Sequence, residues 1–541
     1  MDKKFIFITG GVISGLGKGV ITASLARLLK SRHYSVSIIK FDPYLNIDAG
    51  SMNPFQHGEV FVTSDGQECD MDMGTYERFL ERSNNKHNFG KQVNITSGRI
   101  YDKILKKERR GEGEGKTIQI IPHVTDEIKN EILNTSSTEF TIIEIGGSVG
   151  DIESLPFFEA VRQLSSEKKN QCLNVHVSYI PYLSSSEEEK SKPTQNSIKE
   201  LRSLGINADI LMTRSSSQKL CQTTLDKLCQ FCNLSEDKII HVPDTNIYKV
   251  PQLLEQQHSI ALIEDLLQYS VNSSGGNTQK VISNWENLLN NKKGKSIRIA
   301  IATKYYNKDA HCSLLHMIEH CCCNLGINFE IDWIECSEYD DQVNTKLRKA
   351  DLVIIAGGFG IRGYEKKIKI SEICKKVGIP QFGICLGFQT QIISALREDT
   401  TLNRAKLTSE EIEPYTTGAV ISLLEDQKEV KDRGGTLKVG SQKLLLTNND
   451  HSLTSDAYQE QKEIKERFRH RYEFNSNYIT SLEDLGYTIT LMDYSSSLVC
   501  GIELNSKKQG LVIGTQFHPE FSSTLTNPHP LFMKFLEFVI S

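Results

Sequence analysis

A cysteine stands between two glycines in Gly383-Ile384-Cys385-Leu386-Gly387, where a strand should turn into a helix over Gln389–Leu396. This spacing is the cysteine form of a nucleophile elbow, whose tight turn exposes the side chain and sets backbone N–H groups beside it. It also puts the thiol near a helix N-terminus, which favours the thiolate. A thiol nucleophile needs a base, and the base needs an orienting group. His518 and Glu520 follow a strand over Leu511–Gln516 and lie two apart, on one side of an extended segment, so the carboxylate can hold the imidazole. Cys385, His518 and Glu520 form a candidate triad, and Gly357-Gly358, at another strand end, could supply an oxyanion-hole N–H.

A second chemistry is written at the N-terminus. The apolar run Lys3–Thr9 is followed by Gly10-Gly11-Val12-Ile13-Ser14-Gly15-Leu16-Gly17-Lys18-Gly19 and then by a helix over Lys18–Arg32 with Ile21, Leu25 and Leu28 on one face. A glycine-rich loop at a helix N-terminus offers free N–H groups and the positive dipole end to an anion, and Lys18 adds a point charge. The loop reads as a phosphate cradle for a nucleoside triphosphate. It departs from the usual G-x4-G-K-[ST] pattern: five residues separate Gly11 from Gly17, and Gly19 replaces the hydroxyl residue that holds magnesium.

Another group must therefore hold the metal. The segment Glu59–Asp72 carries five carboxylates in fourteen residues, and Glu144 closes a strand. Magnesium takes one or two carboxylates plus substrate phosphates, so Asp72 and Glu144 could be its ligands; otherwise the acidic run is a solvated loop. Lys190-Ser191-Lys192-Pro193-Thr194-Gln195 suits a second polyphosphate or, equally, a charged surface loop. Cys229-x-x-Cys232 lacks a second pair and reads as core packing.

The elements that must position these residues alternate. Strands are expected at Ser35–Lys40, Phe140–Ile145, Val175–Ile180, Asp209–Thr213 and Lys238–Val242, and again at Ile297–Ala302, Asn328–Trp333 and Leu352–Ala356. Such alternation predicts α/β architecture with parallel sheets whose ligands lie beyond the carboxyl ends of the strands. A Ser/Gly-rich stretch over 271–278 and a helix over Val281–Asn291 predict two domains, 1–270 and 297–541, joined by a linker over 271–296.

With 541 residues the chain can bury full cores, and 63 basic against 68 acidic residues give a net charge of −5, which argues against nucleic-acid binding. No apolar run approaches the roughly 18 residues of a membrane span, and the N-terminus lacks a signal-peptide pattern, so a cytoplasmic protein without membrane partners is expected. Thirteen cysteines, three of them in tandem at Cys321-Cys322-Cys323, do not make a disulfide framework.

Taken with Gln56–Thr63, Tyr76–Phe79, Gly98–Tyr101, Lys107–Gly111, Glu144–Gly147, Gly150–Pro156, Gly357–Gly360 and Arg469–Glu473, these motifs resemble the CTP synthases, glutamine-dependent amidotransferases, over essentially the whole chain. The resemblance implies an N-terminal P-loop-like amidoligase (synthase) domain and a C-terminal class I glutaminase domain. In the first, ATP would phosphorylate the 4-oxygen of UTP and ammonia would displace the phosphate to give CTP, in pyrimidine nucleotide synthesis. ATP-binding positions map to Ser14, Gly15, Leu16, Gly17, Lys18, Gly19, Lys40 and Asp72, and magnesium ligands to Asp72 and Glu144. UTP and CTP contacts map to Ser14, Asp151, Ile152, Glu153, Lys190, Lys192, Gln195 and Lys227. These come partly from neighbouring subunits in the family, which implies a homotetramer.

In the glutaminase, Cys385 would attack glutamine with His518 as base and Glu520 orienting it. Gly358 and Leu386 would hold the oxyanion, Gln389 and Arg471 the substrate, and His57 with Val60 would line the ammonia tunnel. A glutamine-binding glutamate falls in the divergent stretch 397–415, where Glu410 and Ser409 compete for it. Phe359 and Arg362 fall near the family's site for GTP, an allosteric activator, and CTP is its feedback inhibitor. Gly15 stands where serine is common, and His311 where tyrosine is. A glutamine-dependent amidoligase acting on a non-nucleotide acceptor, or a filament-forming non-catalytic homologue, are the alternatives.

Overall fold

A computed structural model describes residues 3–81, 89–113, 115–269, 277–337, 342–403, 407–414, 416–424, 427, 435–447, 452–495, 497–506 and 508–541; within these the side chains of 89–92 are left aside. The chain forms two compact units, Met1–Asp48 with Thr75–Glu286, and Ala49–Gly74 with Asn287–Ser541. Both are α/β, as the alternation predicts. The division is less simple than a cut near residue 270: 49–74, with most of the acidic run, packs with the C-terminal residues, and the chain as far as Glu286 packs with the N-terminal ones.

The first unit is built on seven parallel strands: β1 (Lys4–Gly11), β2 (Val36–Asp42), β3 (Phe89–Thr96), β4 (Phe140–Ile145), β5 (Cys172–Tyr179), β6 (Ile210–Ser215) and β7 (Ile239–Pro243). Their order is β7-β6-β5-β1-β4-β2-β3. Parallel sheets covered on both faces need near-continuous apolar strands, and all eight residues of β1 are buried. Helix α1 (Lys18–Ser31) leaves β1 through the glycine loop, with Gly17 at φ 89° as its N-cap. β3 is the sheet strand that local pattern missed.

The helix expected in the linker runs over Thr278–Asn290. It is not a bare tether: Trp285 is 2% exposed, its Nε1 donates to Glu81 Oε1 (2.8 Å), and the Arg27 guanidinium lies 3.7 Å from its ring centroid. Phe79 and Tyr248 meet it edge-on at 5.2 Å each. Residues 271–276 of the expected linker lie outside the described residues.

The second unit is organised on nine strands: β8 (Ser296–Thr303), β9 (Asn328–Glu335), β10 (Leu352–Ile355), β11 (Gln381–Ile384), β12 (Lys438–Leu446), β13 (Glu463–His470), β14 (Thr488–Asp493), β15 (Val499–Ser506) and β16 (Gly510–Thr515). The order is β9-β8-β10-β11-β16-β15-β14-β12-β13, parallel from β9 to β16 and antiparallel beyond. The ends of β10, β11 and β16 therefore lie side by side, and the glycine, cysteine and histidine motifs all leave from them.

All thirteen cysteines are free thiols, and Cys232 is buried in an apolar cluster, in keeping with core packing. No helix among the described residues is long and apolar enough to cross a membrane. Replacing Trp285 with Ala should remove the ring that knits Arg27, Phe79 and Tyr248 together. We expect a loss of about 3–5 kcal/mol in urea unfolding of the first unit.

Candidate active site

At the end of β11 the backbone turns directly into a helix over Leu386–Leu396, with Cys385 at φ 53°, ψ −103°. A non-glycine residue at positive φ costs of order 1–3 kcal/mol and persists only where its surroundings over-determine it. Here Cys385 N–H donates to Thr515 O (2.7 Å) on β16 and Cys385 O accepts from Gln389 N (3.1 Å). A Cβ on Gly387 would overlap the Ile355 carbonyl oxygen, so only glycine lets the helix sit so close to β10.

His518 arrives from β16, and its Nδ1 shares a hydrogen with Glu520 Oε1 at 2.7 Å. A Cβ built on Gly357 would come within 3.2 Å of His518 Cε1 and 3.7 Å of Cys385 Cβ, so the two side chains converge on that glycine. His518 Nε2 is buried and makes no hydrogen bond of normal geometry, yet Cys385 lies within its electrostatic reach. Burial opposes the imidazolium, but Glu520 and Cys385 outweigh it and hold His518 well above its ordinary range. The three residues of the candidate triad are thus together, with the imidazole between the thiol and the carboxyl group.

They line a cavity of about 80 Å³ with Gly357, Gly358, Val60 and Arg469 among its other walls. Arg469, Tyr305, Phe359 and Pro54 also border a larger cavity of about 970 Å³ that contains Glu410, Glu411 and Arg471. A small reaction chamber next to a polar vestibule suits a substrate with one amide end and one charged end. Glu410 Oε2 accepts from Leu423 N (2.8 Å), and Glu411 Oε1 from Gly360 N (2.5 Å). Burial pushes the Glu411 carboxyl up against the pull of Gly360 N–H, Lys304 and Arg471. The family resemblance weighed Glu410 and Ser409 for the glutamine-binding place; Glu411, which was not named, borders the same cavity and meets a glycine 51 residues away.

Gln389 lines neither cavity: it is buried, and its Nε2 donates to Tyr472 O (2.8 Å) and Gln516 Oε1 (3.2 Å), while Gln516 Nε2 donates to Cys385 Sγ (3.6 Å). His311 borders the chamber as a neutral ring, pushed down to about 4 by burial and Lys367, with Thr303 and Tyr305 O as partners.

The carboxylates of 59–72 are dispersed. Glu59 accepts from Ser313 N and Oγ at the start of a helix, Glu68 pairs with Arg469 Nε (2.8 Å), and Asp65 accepts from Thr63 Oγ1. Asp70 faces His57 Nδ1 at 3.6 Å and accepts from Asp72 N (2.9 Å). No group of three or more metal-capable side chains forms among the described residues. Val60 reaches the Cys385 chamber; His57 ends a short helix over Pro54–His57.

In the first unit the phosphate loop has Val12, Gly15 and Gly17 at positive φ, and Ser14 exposed. Lys18 lies across Gly10 and donates to Gly147 O (2.6 Å). A Cβ on Gly11 would overlap the hydroxyl of Ser197, on the helix over Lys192–Ser203, so this loop, the turn after β4 and that helix meet at one point. Lys40 and Glu144 stand opposite one another on β2 and β4, with Lys40 Nζ 3.8 Å from Glu144 Oε1 and 3.8 Å from Asp42 Oδ1. Glu144 Oε2 accepts from Thr22 Oγ1 (2.9 Å) and Tyr76 Oη (2.5 Å).

Asp151, Ile152, Glu153, Lys192 and Lys227 are exposed; Asp151 accepts from Ser148 N, Lys190 pairs with Glu188, and Gln195 donates to Ser191 Oγ. Among the described residues nothing ties Lys190, Lys192 or Lys227 to one another. His176 went unnoticed in the sequence; it is fully buried between Thr9 Oγ1 (2.9 Å) and Ser197 Oγ (2.7 Å), and burial, with Lys18, pushes it down to about 3.

A cysteine at a strand-to-helix elbow in one unit and a glycine loop opening a helix over a parallel sheet in the other are the features of a glutamine amidotransferase joined to a nucleotide-dependent synthase. The CTP synthase N-terminus family matches residues 4–269, and the class-I glutamine amidotransferase family residues 307–538. CTP synthases of Coprothermobacter proteolyticus and Saccharolobus solfataricus are 40% and 42% identical over 545 and 554 residues, covering 99% and 100% of this chain and 98% and 100% of their own. A solved Trypanosoma brucei CTPS glutaminase domain with bound acivicin is 28% identical, covers 45% of this chain and 94% of its own, and superposes with a TM-score of 0.40. The chain belongs to the CTP synthase family, ATP-dependent ligases that convert UTP to CTP with nitrogen from glutamine.

Substituting Glu520 with Gln removes the largest influence that holds the imidazolium. The His518 imidazolium should then lose its proton at lower pH than in the parent, which the pH dependence of the His518 ring-proton NMR signals would show.

Proposed function

We propose that Cys385, His518 and Glu520 release ammonia from glutamine in the second unit, and that the first unit activates UTP as its 4-phosphate. The observation that carries this reading is the convergence of thiol, imidazole and carboxylate in one small chamber. The Cys385 thiolate adds to the side-chain amide carbon, and the oxyanion takes hydrogen bonds from Gly358 and Leu386 N–H. The C–N bond breaks as His518 gives its proton to nitrogen, leaving NH₃ and a γ-glutamyl thioester. Water, deprotonated by His518, then adds, the C–S bond breaks, and glutamate leaves.

Arg471 and a glutamate of the 410–411 pair, which border the larger cavity, would bind the charged end of glutamine. Gln389 would act from behind the site, through Gln516. Val60, in the chamber wall, supports an ammonia exit on that side, with His57.

In the first unit, Ser14, Gly15, Leu16, Gly17, Lys18, Gly19 and Lys40 would hold ATP phosphates. Asp151, Ile152, Glu153, Lys190, Lys192, Gln195 and Lys227 would serve UTP and the inhibitor CTP. The exposure of several of these is in keeping with a site completed by other subunits of a homotetramer. Asp72 and Glu144 are hard oxygen donors of the kind Mg²⁺ prefers, and with so few protein ligands its remaining positions fall to phosphates and water. Bound there, Mg²⁺ would neutralise charge on the transferring phosphoryl group.

Transfer of the ATP γ-phosphoryl to O4 of UTP turns a poor leaving group into phosphate, and NH₃ at C4 then expels it. Activation by GTP is supported by a cluster of planar groups: the Arg362 guanidinium is 4.7 Å from the Phe55 ring centroid and Phe55 is 5.4 Å from Tyr305. A cytoplasmic location, where nucleoside triphosphates and glutamine are both available, would suit this reaction.

The test compares glutamine and ammonium chloride as nitrogen sources at mildly alkaline pH. Cys385→Ala should lose glutamine-dependent CTP formation by at least about 10³-fold and keep ammonia-dependent formation. Lys40→Ala should lose both. Retention of glutamine-dependent synthesis by Cys385→Ala would remove the nucleophile assignment.

A further inference from the structure

Beyond the residues assigned above, the second unit buries two lysines beside the loop that follows β10. Lys367, on the helix over Tyr364–Val377, is 0% exposed and forms no ion pair among the described residues. Its Nζ donates instead to Ala356 O (2.5 Å) and Gly357 O (3.3 Å). Lys304 lies on the other side and donates to the carbonyls of Phe359 and Gly360. Leaving an amine uncompensated in a core is expensive, so a lysine retained there with only backbone acceptors calls for a reason.

Gly357 C=O and Gly358 N–H belong to one peptide group. A donor on that carbonyl draws electron density toward oxygen and leaves the N–H a stronger donor, as in any polarised hydrogen-bond chain. Gly358 sits at φ 148° beside Lys304 Cδ, a conformation that needs its neighbouring peptides fixed. Resting on the reading that Gly358 N–H receives the oxyanion formed at Cys385, we propose that Lys367 is a positioning residue for glutamine hydrolysis, which orients and polarises the Gly357–Gly358 peptide. The lining of the Cys385 chamber by Ala356, Gly357 and Gly358 places both of its acceptors in the wall of the reaction site. Burial pushes Lys367 down to about 7, in keeping with an amine whose protons are held by carbonyl oxygens rather than by a counter-ion.

The test uses the full-length enzyme with Lys367→Met, which keeps the stem and removes the donor, and Lys367→Gln, which keeps a neutral donor should the methionine variant fail to fold. We expect kcat for glutamine hydrolysis to fall about tenfold or more with KM within twofold, since the effect belongs to the transition state. Affinity for the aldehyde analogue L-glutamate γ-semialdehyde, which forms a tetrahedral adduct with a thiol, should fall in parallel. Iodoacetamide alkylation of Cys385 and ammonia-dependent CTP formation should stay within twofold. A purely architectural lysine would instead lower alkylation, glutamine binding and thermal stability together. The proposal is overturned by unchanged kcat in the folded methionine variant, by a glutamine variant that loses kcat as fully as the methionine one, or by a kcat loss without loss of aldehyde affinity. Glutaminase activity surviving in a parallel Cys385→Ala sample would instead sink the underlying nucleophile reading.

Discussion

The glutaminase unit depends on one backbone constraint, the left-handed turn at Cys385. Strand β11 must stop and its helix begin within a single residue, so the cysteine takes φ 53°, a region that L side chains avoid. The cost is offset by neighbours that leave no alternative: Thr515 on β16 fixes the amide, and Gly387 packs without a Cβ against Ile355 on β10. The same strands deliver the remaining groups, for β10 runs into the Gly357-Gly358 loop and β16 into His518 and Glu520. Catalytic geometry here is a consequence of strand order.

Charge burial follows from that geometry. The chamber brings the Cys385 thiol, the His518 imidazole and the Glu520 carboxyl group together, and buried charge is tolerable only when it faces an opposite one. His518 between Cys385 and Glu520 satisfies that condition, and its raised proton affinity is the electrostatic signature of the arrangement. Glu144 in the first unit is a parallel case: buried, it is held by Thr22, Tyr76 and, more distantly, Lys40. In both units a buried acid meets hydrogen-bonding side chains near the carboxyl ends of parallel strands, where α/β folds place their ligands.

Much of the candidate machinery was legible because its signals are local. G-x-C-x-G, the two-residue spacing of His518 and Glu520, and the glycine loop before α1 each encode a turn that only certain residues can make. The rest was hidden by sequence distance. Glu59 meets Ser313 across 254 residues and Glu68 meets Arg469 across 401, so no reading of the acidic run as a unit could reveal that its members serve different helices and strands. Glu411 and Lys367 escaped notice for a related reason: their partners are backbone groups of a glycine loop, which carry no side-chain pattern. The segment 49–74 was assigned with its sequence neighbours, whereas its packing follows Phe61 against Phe521 and Arg467 onto Val62 O.

The nitrogen that leaves glutamine must stay unprotonated, because ammonium has no lone pair to attack with. On the proposed mechanism, His518 gives one proton to the leaving amide nitrogen and no more. An imidazolium paired with Glu520 meets that demand: it donates when the C–N bond breaks, and the neutral ring left behind is a base for the next water rather than a source of a second proton. A chamber of about 80 Å³ leaves room for few water molecules, the other proton source. Its wall includes Glu59 and Val60, from a segment that lies far from the glutaminase in sequence. Glu59 is bound to Ser313 N and Oγ, so its carboxylate is already occupied as an acceptor and its backbone is pinned where Val60 closes the chamber. Glu59 thus holds an apolar part of the chamber wall in place, and such a wall suits the proposed release of unprotonated ammonia.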